Sequence, residues 1–372
     1  MNENSTITVK AGLVLLGRSL ETVKDACIWI KDGLIEAVTS SASCPARHIG
    51  SSNILVTPQP ALAHVHSMDH VFPEYGINKD IRELVAYPSG EKHVRLNALT
   101  RDKMISYTAE YYRYAWRLGV GLVVDFRELG GLGCTTAKEA HKIIPEGLSL
   151  LVLGRPGPGW PMGCDGLGIS SPLDYPKDEL RKLVSSVPIA ATHVAETKET
   201  REQGDLEIAL DTGFHVLIHG TYLDRDDIVR IFSEKKNLVL CTRSNMWHSL
   251  RVPPIDDIVK LGASFGLGTD NAAWLPPDPW GEAMTLLFAG RLKGYKEPLL
   301  AKRILEGLFI NGYTMYGLRP RLVEEGVKAG FLVWNIEDTG LSRAEDVYVG
   351  VVKRLVSARL LARVDEGVIS WV

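Results

Sequence analysis

Ala61-Leu62-Ala63-His64-Val65-His66-Ser67 closes an apolar run that begins at Ile54 and is interrupted by Pro58 and Pro60. In an extended strand, residues i and i+2 share a face, so this run sets two imidazoles side by side at its C-terminal end. Seven further short apolar runs follow, at 120–126, 148–153, a glycine-rich 166–170, 187–192, 214–218, 238–241 and 264–269. Helical patterns lie between them, such as 101–118 and 224–236, the second opened by Asp224 as N-cap with Asp227 at the third helical position. Strand–helix alternation repeated eight times predicts a parallel sheet closed into a distorted (β/α)8 barrel, whose active site lies at the C-terminal ends of its strands. Polar signals stand at those ends: His64-Val65-His66, His193-Val194-Ala195-Glu196, His219-Gly220 and Thr269-Asp270-Asn271. Imidazoles and a carboxylate meeting at one mouth suit Zn²⁺ or Fe²⁺.

The two ends of the chain read differently from its middle. Residues 7–16 are apolar and β-branched, and 27–30 and 34–38 flank Lys31-Asp32-Gly33, a hairpin-turn signal. Runs 331–336, 347–352 and 358–364 follow the barrel region, the last turning through Asp365-Glu366-Gly367 into 368–372. The expectation is a small β-sandwich assembled from 1–56 and 329–372 around a barrel of 57–328.

Composition bounds the partners. The 372 residues are 45% hydrophobic and 23% charged, enough apolar material for a packed core and too much for disorder. Lys and Arg total 42 against 45 Asp and Glu, a formal charge of −3 that argues against a nucleic-acid clamp or a polybasic membrane patch. No run approaches 18 apolar residues, and the N-terminal Met1 to Thr6 is polar, so membrane spanning and secretion are disfavoured. The five cysteines are odd in number, widely spaced and without a Cys-x-x-Cys pair, which argues against a disulfide framework and for a reducing cytoplasm. The expected partner is a small molecule, with homo-oligomerisation left open.

With these motifs in place, the chain resembles the amidohydrolase superfamily, in its cytosine deaminase and chlorohydrolase-like branch. The likeness spans the β-rich termini, the HxH strand, the HxxE motif, the later His219, Cys241-Thr242-Arg243-Ser244-Asn245 and Gly268-Thr269-Asp270. It implies one divalent metal, Zn²⁺ or Fe²⁺, ligated by His64, His66, His193 and Asp270. It further implies Glu196 as proton shuttle and His219 as the group that orients the water or polarises the substrate. Chemistry agrees: a bound Zn²⁺ or Fe²⁺ brings the pKa of its water near neutrality. A carboxylate three residues after a ligand can then carry the water's proton to a ring nitrogen and the leaving ammonia. The expected reaction is therefore hydrolytic deamination of an amino-substituted purine, pyrimidine or pterin-like ring. Cyclic amide or ring-halide hydrolysis is the alternative within the superfamily, and a metal-free binding barrel the alternative outside catalysis. Binuclear relatives use a strand-borne lysine. Here the only lysine near the fourth run, Lys177, follows Asp174-Tyr175-Pro176 in a loop or helix start, so one metal is expected. Thr242 stands where relatives often have proline, and the loop 67–99 is individual, which leaves the substrate open.

Candidate substrate contacts follow from position. Arg127 and Glu128 end the second run and Arg155 the third, where each serves either substrate binding or a structural ion pair. Trp247 and His248 lie after the seventh run, as ring contacts or as packing. His70 and His93 sit on the first long loop, and Trp274 and Trp280 flank the stiff Pro276-Pro277-Asp278-Pro279, read as a lid or as the lead into a helix from 282 to 290.

Overall fold

The computed structural model describes residues 6–372. Residues 1–5, and with them most of the polar N-terminal segment read above, lie outside it. Strands β1 (Ile7–Leu16), β2 (Glu21–Lys31), β3 (Leu34–Ser40) and β4 (Ile49–Pro58) come first. The barrel strands follow: β5 (Ala61–His66), β6 (Leu122–Arg127), β7 (Ser149–Gly154), β8 (Gly166–Ile169), β9 (Ala190–Val194), β10 (Val216–His219), β11 (Asn237–Leu240), β12 (Phe265–Leu267) and β13 (Asp270–Asn271). Last are β14 (Gly330–Asn335), β15 (Arg359–Asp365) and β16 (Val368–Trp371).

The run expected as one strand from Ile54 to Ala63 is two strands in two sheets. Pro58 ends β4, and Pro60 precedes β5. Neither ring can donate to a ladder, so the chain leaves one sheet there and enters the other. From β5 to β12 each strand pairs in parallel with the next. After β12 the chain crosses to β13, which pairs in parallel with β5, Asp270 opposite Val65 and Asn271 opposite His66. The nine-stranded sheet therefore curls back to its first strand, a TIM-like arrangement. Gly268 permits the crossing, since a Cβ there would stand 2.6 Å from the His64 carbonyl oxygen. Helices such as Arg101–Arg117, Arg225–Ser233 and Pro279–Leu292 cover the sheet. Asp224 and Asp227 cap Arg225–Ser233 reciprocally, each carboxylate accepting from the other's backbone N–H at 2.9 and 3.1 Å.

The chain ends share one seven-stranded sheet, in the order β16-β15-β14-β4-β1-β2-β3. The two chain ends pair as expected, in one sheet rather than a sandwich. Strand β4 takes β1 in parallel on one edge and β14 antiparallel on the other, joining the two halves into one ladder. The Asp32-Gly33 hairpin turns as expected, with φ of 50° and 77° at the two residues. Residues 347–352, read as a strand, are instead the helix Val347–Arg354. The Asp346 side chain accepts from the Val349 N–H and caps it, which overrides the β-branched run.

Arg363, fully buried, ties this sheet to the barrel. It donates to the carbonyls of Trp116 and Val120 at 2.9 Å and of Gly147 at 2.7 Å, and to Gln59 Oε1 at 3.1 Å. Two disulfides, Cys27–Cys44 and Cys134–Cys164, overturn the expectation that the cysteines stay unpaired. Their partners are 17 and 30 residues apart and are brought together by the folding of the chain, which a search for local cysteine motifs does not reach. Among the described residues, Cys241 alone is unpaired, and no helix is long and apolar enough to cross a membrane.

Candidate active site

The strand ends deliver their polar side chains to one mouth. His64 and His66 close β5, His193 lies in β9 with Glu196 just after it, His219 closes β10, and Asp270 opens β13. Ala195, His219 and Asp270 have φ of 47°, 72° and 59°, left-handed values that cost a non-glycine residue about 1–3 kcal/mol. Such turns at strand ends redirect the chain just where these side chains meet.

The geometry is tight. His64 Nε2 stands 3.2 Å from Asp270 Oδ1 and 3.2 Å from His193 Nε2. His66 Nε2 is 3.6 Å from Asp270 Oδ1, and His219 Nε2 is 3.4 Å from Glu196 Oε1. One ligand atom each from His64, His193, His219 and Asp270 falls within a 4.8 Å cluster. His219 Nε2 is buried there with no hydrogen-bond partner. Two further imidazoles and the Asp270 carboxylate surround it, a donor set that could hold a cation.

The outer ring nitrogens of His193, His219 and His66 have partners behind them, whereas His64 Nδ1 is buried without one. His193 Nδ1 lies 3.0 Å from the Ile169 carbonyl and donates to it, which leaves Nε2 bare toward the cluster. His219 Nδ1 lies 2.9 Å from Asn245 Oδ1, and the Ser244 hydroxyl donates to Asp270 Oδ2. Lys92 Nζ lies 3.1 Å from His66 Nδ1. Burial lowers the pKa of His64, and lowers those of His66 and His193 further, so all three are neutral at pH 7. Burial alone would raise Asp270, but the hydrogen bond from His64 and the nearby imidazoles hold it well below the usual carboxylate range. Glu196 moves the other way, pushed up by burial against the pull of His219. The two carboxyls are thus pulled apart, Asp270 toward its ionised form and Glu196 toward its protonated one.

A cavity of about 360 Å³ opens over these residues. Its floor is His66, His193, Glu196 and Asp270. Its walls come from Ile81 to Tyr87, from Ser170 to Asp174, from Thr197 to Gln203, and from Trp274. The five expected substrate contacts are not in that wall. Arg127 is 1% exposed and donates to the Gly133 carbonyl, Ser67, Thr108, Thr136 and Asp125. Glu128 and Arg155 pair at 3.0 Å, and Arg155 also holds Asp174 at 3.3 Å while its guanidinium lies 4.2 Å over the Tyr87 ring. Buried charges must neutralise one another, so these three stabilise the mouth from behind the wall. Trp247 is 40% exposed, and His248 meets Trp274 edge-on at 4.3 Å, one layer back from the cavity. His93 is likewise removed, its Nε2 3.1 Å from the Val85 carbonyl, and His70 faces Glu110 at 3.6 Å. Trp280 packs against Trp334 between the barrel and the terminal sheet.

Sequence reading missed Lys92 and Asp69, which sit on the loop 67–99 where spacing carries no signal. It quoted Ser244 and Asn245 within a motif without giving either a task.

Residues 163–356 match the family model described as the amidohydrolase family. A putative aminohydrolase of Methanothermobacter thermautotrophicus is 26% identical over 97% of this chain and 98% of its own. A 5-methylthioadenosine/S-adenosylhomocysteine deaminase of Pelotomaculum thermopropionicum is 30% identical over 36% of this chain and 34% of its own. Among solved structures, an adenosine deaminase from Xanthomonas campestris with bound zinc superposes with TM-score 0.78 at 14% identity, over 98% of this chain and 93% of that one. An atrazine chlorohydrolase from Arthrobacter aurescens complexed with zinc superposes with TM-score 0.79 at 16% identity, over 98% and 94%. With the model spanning more than half of the residues and the strand-end histidines and carboxylates converging on one mouth, the chain belongs to the amidohydrolase family and is a hydrolase of carbon–nitrogen bonds.

Proposed function

We propose that this hydrolase deaminates an amino-substituted nitrogen heterocycle, with one Zn²⁺ or Fe²⁺ held by His64, His66, His193 and Asp270. The observation that carries the reading is the floor of the cavity, where the neutral imidazoles of His66 and His193, with the buried His64 against them, and an ionised carboxylate converge beside a carboxyl of raised pKa. His219 belongs to the tightest cluster of donors, but Asn245 holds it from behind and its Nε2 faces Glu196, which suits it to orient a reactant. His66, two residues from His64 on the same strand, completes the ligand set instead.

When bound, the cation supplies Lewis acidity and makes water a nucleophile near neutral pH. The chain's own groups do the rest. Glu196 accepts the proton of the attacking water and returns it to the ring nitrogen and the leaving ammonia. His219 holds the reacting oxygen or ring substituent at its free Nε2. Trp274 and Tyr87 offer flat apolar walls for a ring, and the strap 81–87 covers it from water. Because two relatives are 5-methylthioadenosine/S-adenosylhomocysteine deaminases, purine nucleosides are the first rings to try. The test is ammonia release over adenine nucleosides, free bases, pterins and cytosine, paired with metal analysis. A fully metallated protein that releases no ammonia from any of them, and instead opens a cyclic amide or displaces a ring halide, overturns deamination.

A further inference from the structure

Lys92 lies in the first turn of the helix Glu91–Asn97, which the loop 67–99 lays over the barrel mouth. It is 3% exposed. Its Nζ lies 3.3 Å from Asp69 Oδ2, 3.3 Å from Glu128 Oε1 and 3.1 Å from His66 Nδ1. Asp69 and Glu128 are themselves 1% and 5% exposed. Buried carboxylates that share a site hold a proton or a cation between them; here Lys92 supplies the cation, and Arg155 pairs with Glu128 from its other side at 3.0 Å. Two carboxylates and an imidazole aimed at one point also form a donor set that divalent metals accept. Here the cation is an ammonium, at hydrogen-bond distances rather than the roughly 2.0–2.2 Å of a metal–ligand bond. The seat adjoins the catalytic one, because His66 is common to both: Nε2 faces Asp270 and Nδ1 faces Lys92.

We propose that Lys92 occupies the seat of a second divalent cation and so limits this chain to one metal. The inference rests on the reading that His64, His66, His193 and Asp270 hold the first. An ammonium tethered by its own side chain is present at high effective concentration and cannot be washed out, so free Zn²⁺ does not displace it. Removing it leaves Asp69 and Glu128 around a hole of the right charge; His66 Nδ1 joins them once the ring, ligated at Nε2, gives its remaining proton to water, and small torsions of the two carboxylates bring them to metal distance.

The experiment counts zinc. Protein stripped with a chelator is reloaded with excess Zn²⁺, desalted and analysed for metal per chain. Wild type should hold one equivalent, Lys92→Ala two, and Lys92→Ala/Glu128→Gln one again. A folded Lys92→Ala that holds one equivalent overturns the proposal. So does a wild-type protein that takes a second equivalent which Glu128→Gln removes. If Lys92→Ala is unstable without metal, Zn²⁺ should raise its Tm until two equivalents are bound, and no such rise overturns the proposal too. Wild type that binds no metal at all would instead sink the catalytic-metal reading, a separate outcome.

Discussion

A glutamine at position 196 keeps the volume and hydrogen-bonding reach of the glutamate but cannot accept and return a proton. Glu196→Gln should leave metal content and folding unchanged and lower kcat by a factor of about 10² to 10⁴. The loss should fall on kcat rather than KM, because the proton moves in the transition state. Asp270→Asn should instead lower zinc content, since the charge that faces three imidazoles is gone. Assaying kcat and metal together separates the two; near-normal turnover in metallated Glu196→Gln would assign the proton to another group. Glu282 supplies a pH test away from the metal. It is fully buried, and burial pushes its carboxyl up to about 7 against the opposing pull of Arg243. Between the unfolded value near 4.5 and about 7 the native state holds the extra proton, so this residue costs stability as pH rises through that window. Glu282→Gln should therefore gain on wild type between pH 5 and pH 8, by roughly 3 kcal/mol at most. Urea midpoints at the two pH values measure it, and a difference that does not grow with pH would show that Arg243 keeps the carboxylate charged.

The crossing from β12 to β13 is the element on which the site depends, since it both closes the parallel ladder on β5 and presents Asp270. Gly268 is its tightest point. Gly268→Ala drives a methyl into the His64 carbonyl, and β5 and β13 must part to receive it. The expected cost is about 1–3 kcal/mol of stability, the usual price of overpacking. Zinc affinity should fall with it, because His64 and Asp270 move apart. Chemical denaturation alongside zinc titration checks both, and a variant normal in both would mean that the crossing relaxes without moving its ligands.

At the scale of the whole molecule, one buried guanidinium couples the two sheets. Arg363 reaches from β15 to three main-chain carbonyls of the barrel. Arg363→Met keeps an apolar stem and strands those acceptors, each at about 1–3 kcal/mol, so a total loss near 3 kcal/mol or more is expected. Turnover per folded molecule should not change, because the contact lies at the far end of the barrel from the histidines. A urea midpoint equal to that of wild type would show that water replaces the lost donors.

The sequence was enough for seven of the eight strand runs and for His64, His66, His193, Glu196, His219 and Asp270 as one group. An apolar run followed by a polar residue is a local pattern, and parallel topology brings every such strand end to the same face. Local patterns also mislead. The residues 347–352 look like a strand until Asp346 caps them into a helix, and a run broken by two prolines belongs to two sheets. The partners of charges were beyond reach altogether. Arg127 meets Ser67 across 60 residues, Lys92 meets Glu128 from a loop with no periodicity, and Cys134 meets Cys164 across 30. Whether an arginine at a strand end faces substrate or neutralises a neighbour depends on which other charge the fold buries beside it. That energy belongs to a pair of distant residues and their shared loss of water, and neither residue's own surroundings in the chain record it.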